Sequence, residues 1–303
     1  ERDGYRVGRV ALETRPGLFL AGNLYLPDGA SAERPVPGVL SPHGHWRDGR
    51  LSRRTDAEVA AELASGAETD ERAARFHLQA RCAWLARMGC AVFAYDMVGD
   101  GDTRQFGDAA GFEDLEAVQW GLSAFGLQTW NSLCALDFLA SLPEVDHERI
   151  GVTGASGGGT QTFVLCAIDP RPAVAFPAVM VSTRMQGGCV CENAPHLRVG
   201  TGNVEIAALA APRPLALSGA DDWTIAIERE GLPELQRAYA LLGAEERVAA
   251  RCWPEFAHNF NRPAREFMYA WMNRHLELGW PEPVREGEFE PVEPADLRVF
   301  TAD

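Results

Sequence analysis

Apolar and polar residues alternate from Tyr5 to Pro27, with a break at Arg15-Pro-Gly17, a pattern that predicts two antiparallel strands joined by a tight turn. Further on the pattern changes. Val36 to Ser41, Cys90 to Asp96, Ala173 to Val181, Pro214 to Ser218 and Arg247 to Trp253 are short apolar runs of the kind buried on both faces of a parallel sheet. Helical spacing separates them: Ala73 to Met88, closed by Gly89; Leu122 to Leu142, whose predicted core face carries Trp130, Leu133, Cys134 and Phe138; then Val204 to Ala211, Pro233 to Leu242 and Pro263 to Leu276. Such alternation predicts one α/β domain over residues 1–303, a mostly parallel central sheet with helices on both faces. Three stretches stand outside the alternation. Residues 47–71 are charged and alanine-rich and read as a solvated surface excursion, 182–203 as an irregular insertion, and 279–303 as a proline- and glutamate-rich tail on the surface.

In the middle lies Arg149 to Thr162, an apolar run that breaks into Gly154-Ala-Ser-Gly-Gly158 and turns helical. A serine between glycines at a strand-to-helix turn is the nucleophile-elbow pattern; the plainer alternative is a glycine-rich turn with a capping serine. Two other loops leave the same predicted sheet edge, one with Asp221 and Asp222, the other with His258. The order Ser156, Asp, His258 is that of an α/β-hydrolase triad. A serine hydroxyl is a weak nucleophile at neutral pH, so a histidine must take its proton and an aspartate must orient and stabilise that histidine. Asp221 and Asp222 are adjacent and point different ways, so only one can face His258. Developing charge on a substrate carbonyl oxygen calls for backbone N–H donors, for which Gly157 and the His43-Gly-His45 loop are placed. His77, His147 and His275 fall in helices or a polar turn, and Gly99-Asp-Gly-Asp102 reads as a structural turn rather than a calcium loop.

Composition narrows the chemistry. A formal charge of -15 and a pI near 4.9 argue against nucleic-acid or anionic-membrane partners, and no apolar run reaches the ~20 residues of a membrane span. All 28 basic residues are arginines, which excludes phosphate-loop, Schiff-base and Ser-Lys chemistries. Seven cysteines form no even disulfide framework, and Cys189-Val-Cys191 lacks a second pair of metal ligands. No cofactor and no metal are expected.

Pro42-His-Gly-His-Trp46, Ala94-Tyr-Asp-Met-Val-Gly99, Gly126-Leu-Gln-Thr-Trp-Asn131, Gly154-Ala-Ser-Gly-Gly-Gly-Thr-Gln161, Gln186-Gly-Gly-Cys-Val-Cys-Glu-Asn193, Asp222-Trp-Thr224 and Ala257-His-Asn259 together resemble bacterial α/β-hydrolases of the acetylxylan-esterase or dienelactone-hydrolase-like group. The resemblance runs from about Val36 to Leu276 and implies the α/β-hydrolase fold, a Ser156, Asp222, His258 triad, and hydrolysis of a carbohydrate or other small carboxylic ester such as acetylated xylan. It favours Asp222, which lies inside the recurring Asp-Trp-Thr run. It also implies an exported protein whose leader has been removed, with a cytoplasmic one as the alternative; the sequence starts at Glu1. His45 and Gly157 are the expected oxyanion donors, and Trp46, Gln186, Glu192, His196 and Trp223 the expected substrate contacts. The residues leave open a uronate methylesterase or other small-ester esterase, a serine peptidase, and a non-catalytic binding protein on the same fold.

Overall fold

The alternation at the start of the chain becomes β1 (Tyr5–Arg15) and β2 (Leu18–Pro27), paired antiparallel with Ala11 opposite Ala21. The chain then enters β3 (Val36–Leu40) and an excursion holding α1 (Asp56–Ser65) and α2 (Glu71–Arg75), followed by α3 (His77–Arg87) and β4 (Ala91–Tyr95). Beyond α4 (Leu115–Gln119) the units are regular. They comprise α5 (Ala124–Ser141), β5 (Val145–Ala155), α6 (Gly157–Ile168), β6 (Pro172–Ala178), α7 (Asn203–Ala208), β7 (Leu215–Ala220), α8 (Gly231–Ala240), β8 (Val248–Trp253), α9 (Arg262–His275) and, in the tail, α10 (Pro294–Leu297). This computed structural model describes residues 3–105 and 115–300; residues 301–303 of the expected tail lie outside the described residues. No helix among them is long and apolar enough to cross a membrane.

The eight strands form one sheet in the order β1-β2-β4-β3-β5-β6-β7-β8, antiparallel across β1-β2-β4 and parallel thereafter. The expected fold class, a mostly parallel α/β-hydrolase sheet, is thus met. Successive residues of each central strand point to opposite faces. Leu40, Phe93, Ala175 and Leu217 join the core under α5, α6, α7 and α8, while Val39, Val92, Phe176 and Ala216 join the core under α3 and α9. Both faces are covered, which is why these strands read as continuous apolar runs.

Two helices differ from the sequence pattern. Phe76, at φ -124 and ψ 49, divides the expected 73–88 helix into α2 and α3. In α5 the expected core face is only part of the buried surface: Leu133 and Phe138 pack against the core from its edge. Trp130 is 40% exposed and donates its indole N–H to the Thr14 carbonyl, Leu133 and Phe138 are half-buried, and the buried face is Gln128, Asn131, Ser132, Ala135, Leu136 and Leu139. Small and hydrogen-bonded side chains let the helix approach the sheet closely, and Ser132 accepts from the Tyr95 hydroxyl and donates to Gln161 of α6.

The 47–71 excursion is solvated along α1, where Val59 alone is buried, but it is anchored before and after that helix. Arg50, Arg54 and Glu68 are buried, and each is anchored by charge. Arg50 donates to Asp102 at 2.6 Å and lies 3.4 Å from Asp96 at the end of β4; Asp102 also accepts from Arg298 and from the Val299 N–H of the tail. Glu68 meets Arg265 of α9, whose other side binds Glu286 of the tail at 2.6 Å, with the Tyr269 hydroxyl closing the group. The tail is therefore held by buried anchors, Glu286, Phe289, Val292 and Leu297, rather than lying loosely on the surface.

Removing the cation from a buried carboxylate pair leaves two unpaired charges in a dry interior, at about 3–5 kcal/mol. Arg265→Met should cost roughly that much in urea unfolding; a loss below about 1 kcal/mol would contradict the anchoring role. Burial raises the Asp96 carboxyl from 3.8 to about 7, against the opposing pull of Arg50. The folded chain then keeps a proton that the unfolded chain has released, so Asp96 withdraws stability as pH rises from 3.8 to about 7. The Tm of the native protein should fall relative to that of Asp96→Asn between about pH 5 and about pH 8, and parallel Tm profiles would refute this.

Candidate active site

Ser156 joins β5 directly to α6 with φ 56 and ψ -126, a left-handed conformation that a side-chain-bearing residue adopts only under constraint. The constraint is close packing. A Cβ on Gly154 would stand 2.5 Å from the Pro42 carbonyl oxygen and 2.6 Å from that of Gly158, and one on Gly158 again 2.5 Å from Pro42. Only glycine lets the loop after β3 lie against this turn. The Ser156 N–H donates to Ala178 at the end of β6, and its side chain is buried but for a few per cent.

Because β5, β6, β7 and β8 are parallel, everything that follows their last residues emerges at one edge. Asp222 follows β7 and His258 follows β8, and the structure brings these two together: His258 Nδ1 and Asp222 Oδ2 are 2.6 Å apart. The other Asp222 oxygen accepts from the Thr224 N–H at 2.6 Å and from its hydroxyl, so the carboxylate is held in one orientation. Asp222 is 5% exposed at its side chain and His258 29%, an imidazole with one side toward solvent. Trp223 packs against it, tilted by 37°, at 4.5 Å between ring centroids. Asp221 is exposed, and its N–H donates to the Phe256 carbonyl.

The loop after β3 lies over Ser156. His43 is buried and neutral: burial lowers its pKa to about 3, and its Nε2 accepts from the Met97 N–H. It ties this loop to the loop after β4. The ring of His45 reaches within 3.3 Å of the point where a Cβ would stand on Gly157, with the Glu192 carboxylate 3.5 Å from the same point and 4.0 Å from His45 Nδ1. Trp46 is half-buried and packs edge-on against His77 at 5.4 Å.

The 182–203 insertion forms the remaining wall without helix or strand until α7 begins at Asn203. It is knit internally. Gln186 accepts from the Asn203 N–H and donates to the Ser182 carbonyl, so both ends of its amide are used within the loop. Glu192 is buried, accepts from the Gly188 N–H at 2.6 Å, and is the one polar side chain expected from this loop that reaches the elbow. His196 is exposed at φ 66 and is not brought to it.

Two features were not read from the sequence. Cys189 and Cys191, taken as an incomplete ligand pair, are disulfide-bonded, and both sulfurs face His45 Nε2, at 3.4 and 2.6 Å. No spacing rule could supply a partner 144 residues upstream. The second is Gln128 of α5. It lines a cavity of 180 Å³ with His43, Gly44, His45, Met97, Gly157 and Cys191, and its Oε1 is buried without a hydrogen-bond partner among the described residues. Its place in the Gly126–Asn131 run was the available signal, but helical spacing left it off the predicted core face.

Comparison with known proteins agrees with this architecture. The acetyl xylan esterase (AXE1) family model matches residues 130–182, from α5 through the elbow to the start of the insertion. Over 199 residues the chain is 29% identical to YtaP of Bacillus subtilis (strain 168), a candidate hydrolase, covering 63% of this chain and 62% of that one. Among solved structures, methylesterase BT1017 superposes with a TM-score of 0.73 at 31% identity, over 91% of this chain and 56% of its own. The glucuronoyl esterase from Solibacter usitatus superposes with a TM-score of 0.62 over 92% of this chain and 82% of its own, and at 15% identity it speaks for the fold alone. The chain thus spans 62% and 56% of the lengths of YtaP and BT1017. With the elbow, the parallel sheet and these likenesses together, the chain has the α/β-hydrolase fold and is similar to acetyl xylan esterases.

Proposed function

We propose that the protein is a serine esterase that removes a small acyl group from a carbohydrate through an acyl-enzyme. The observation that carries this reading is the 2.6 Å bond between His258 and Asp222 at the sheet edge where Ser156 is held strained. In the proposed mechanism His258 takes the Ser156 proton as the hydroxyl attacks the ester carbonyl, then returns it to the departing sugar hydroxyl. Asp222 keeps Nδ1 protonated, leaving Nε2 free as the base, and stabilises the imidazolium. The tetrahedral oxyanion would be met by the backbone N–H groups of Gly157, at the first turn of α6, and of His45, at about 3 kcal/mol for each donor. Water repeats the sequence on the acyl-enzyme.

A cavity of 180 Å³ opens beside Gly157, the residue next to Ser156, and offers room for a small acyl group. The unpaired Gln128 Oε1 in its wall is suited to accept from a substrate hydroxyl. Trp223, packed against His258, is suited to lie against a sugar ring. The neutral-to-acidic surroundings suit an uncharged substrate, and no cofactor enters the scheme. A second reading, removal of methyl groups from uronate esters, draws on the likeness to methylesterase BT1017.

Ser156→Ala should lower kcat for 4-nitrophenyl acetate by at least about 10³-fold, and Asp222→Asn by about 10⁴-fold, with the fold intact by circular dichroism. Unchanged turnover in Ser156→Ala would reject the proposal. Acetylated xylo-oligosaccharides and methyl-esterified uronides, followed by mass spectrometry, separate the two readings by release of acetate or of methanol. Gln128→Leu should raise KM for the hydroxyl-bearing substrate by about tenfold, and more than for 4-nitrophenyl acetate, the cost of one lost buried hydrogen bond.

A further inference from the structure

We propose that His45, Cys189 and Cys191 form a binding site for a zinc ion when the Cys189–Cys191 disulfide is reduced. The three ligand atoms lie within 4.8 Å of one another. Zn–S bonds of about 2.3 Å and Zn–N bonds of about 2.0 Å at tetrahedral angles place ligand atoms about 3.5 Å apart. Cys189 Sγ is already 3.4 Å from His45 Nε2; Cys191 Sγ, at 2.6 Å, gains room to withdraw once the bond between the sulfurs opens.

The surroundings are those of a ligand set. With Nε2 turned to the sulfurs, the opposite nitrogen of His45 faces the buried Glu192 carboxylate, Nδ1 to Oε1 4.0 Å. At 4.0 Å this is a long charge contact rather than a hydrogen bond, and it favours the bound metal by placing a negative charge behind the ring. The loop is also shaped independently of the disulfide. Cys189 O accepts from the Glu192 N–H and from the Asn193 amide, Glu192 accepts from the Gly188 N–H, and Arg198 donates to the Glu192 carbonyl and to Asn193. The two cysteines therefore stay beside His45 after reduction. Nor does the disulfide have much to do as a staple: it closes a separation of two residues, which removes little entropy from the unfolded chain.

The chemistry balances with a dithiol as reductant. The dithiol gives two electrons and two protons to the disulfide, yielding two thiols and its own cyclic disulfide. Zinc then binds as the two thiols release their protons, with the imidazole neutral. Three protein ligands leave a fourth position open, and since His45 and Cys191 line the 180 Å³ cavity beside Gly157, the ion stands at its rim. Zinc binding does not depend on the esterase reading and can fail or succeed without it.

The test is zinc titration of the full chain, reduced with a dithiol that is then removed under argon. The reduced protein should take up one zinc per chain and lose two thiols to a thiol-specific reagent only when zinc is absent. Oxidised protein and the Cys189→Ser/Cys191→Ser variant should take up none, and His45→Gln should bind more than about tenfold more weakly. X-ray absorption at the zinc edge of the native chain, which needs no variant to fold, should give a shell of two sulfurs and at least one imidazole. A shell of oxygen and nitrogen alone, no uptake by the reduced chain, or equal uptake by the double-serine variant would each overturn the proposal.

Discussion

The contact between two backbones at the head of the sheet governs this structure. The Pro42 carbonyl lies so close to the turn after β5 that side chains at Gly154 and Gly158 are sterically impossible, and the strain of that packing falls on Ser156 at φ 56. A strained serine backbone costs of order 1–3 kcal/mol and persists only where the surroundings over-determine it. Here the surroundings are a continuous dry sheet, with β5 at its centre and helices on both faces. The turn is thus a product of the whole core, and a local glycine-rich pentapeptide alone would not hold it.

Buried charge performs the same service for the loops around that turn. Arg50 binds the excursion after β3 to Asp96 and Asp102 after β4, and through Arg298 to the tail. Arg265 binds Glu68 of the excursion to Glu286 of the tail. Neutral His43 completes the set by accepting from Met97. In a chain without lysine every such cross-link is made by a guanidinium, whose fork can hold two carboxylates at once. The segments farthest apart in sequence are therefore the ones that fix the loop against Ser156.

What could be read in advance follows from where the information is stored. Strands buried on both faces carry it locally, as apolar runs, so all six strands of the parallel part, β5 among them, were legible, as was the chain order Ser156, Asp222, His258. The pairing of Asp222 rather than Asp221 with His258 came from the resemblance and agrees with the 2.6 Å contact. The core face of α5 was read only in part because hydrophobicity marks burial only where a helix packs by apolar bulk. Here Asn131, Ser132 and Gln128 are inside, Ser132 bonded to Tyr95 and Gln161, while Trp130 is 40% exposed. The anchors of the excursion were missed for the related reason that Arg50 and Glu68 look like surface residues until their partners, Asp96, Asp102 and Arg265, are brought to them by the fold.

The 182–203 loop was the least legible stretch because its order comes from side chains bonding its own backbone. Gln186, Asn193 and Arg198 spend their polar groups on the loop itself, which removes them from the pool of substrate contacts but fixes what remains. What remains at the elbow is a short list: Glu192 and His45 side by side against Gly157, and the cysteine pair against His45. A wall built this way is rigid without regular structure. Its chemistry can differ from that of other proteins with the same sheet while the parallel strands and the turn at Ser156 stay as they are, since no strand of the sheet contributes a residue to it.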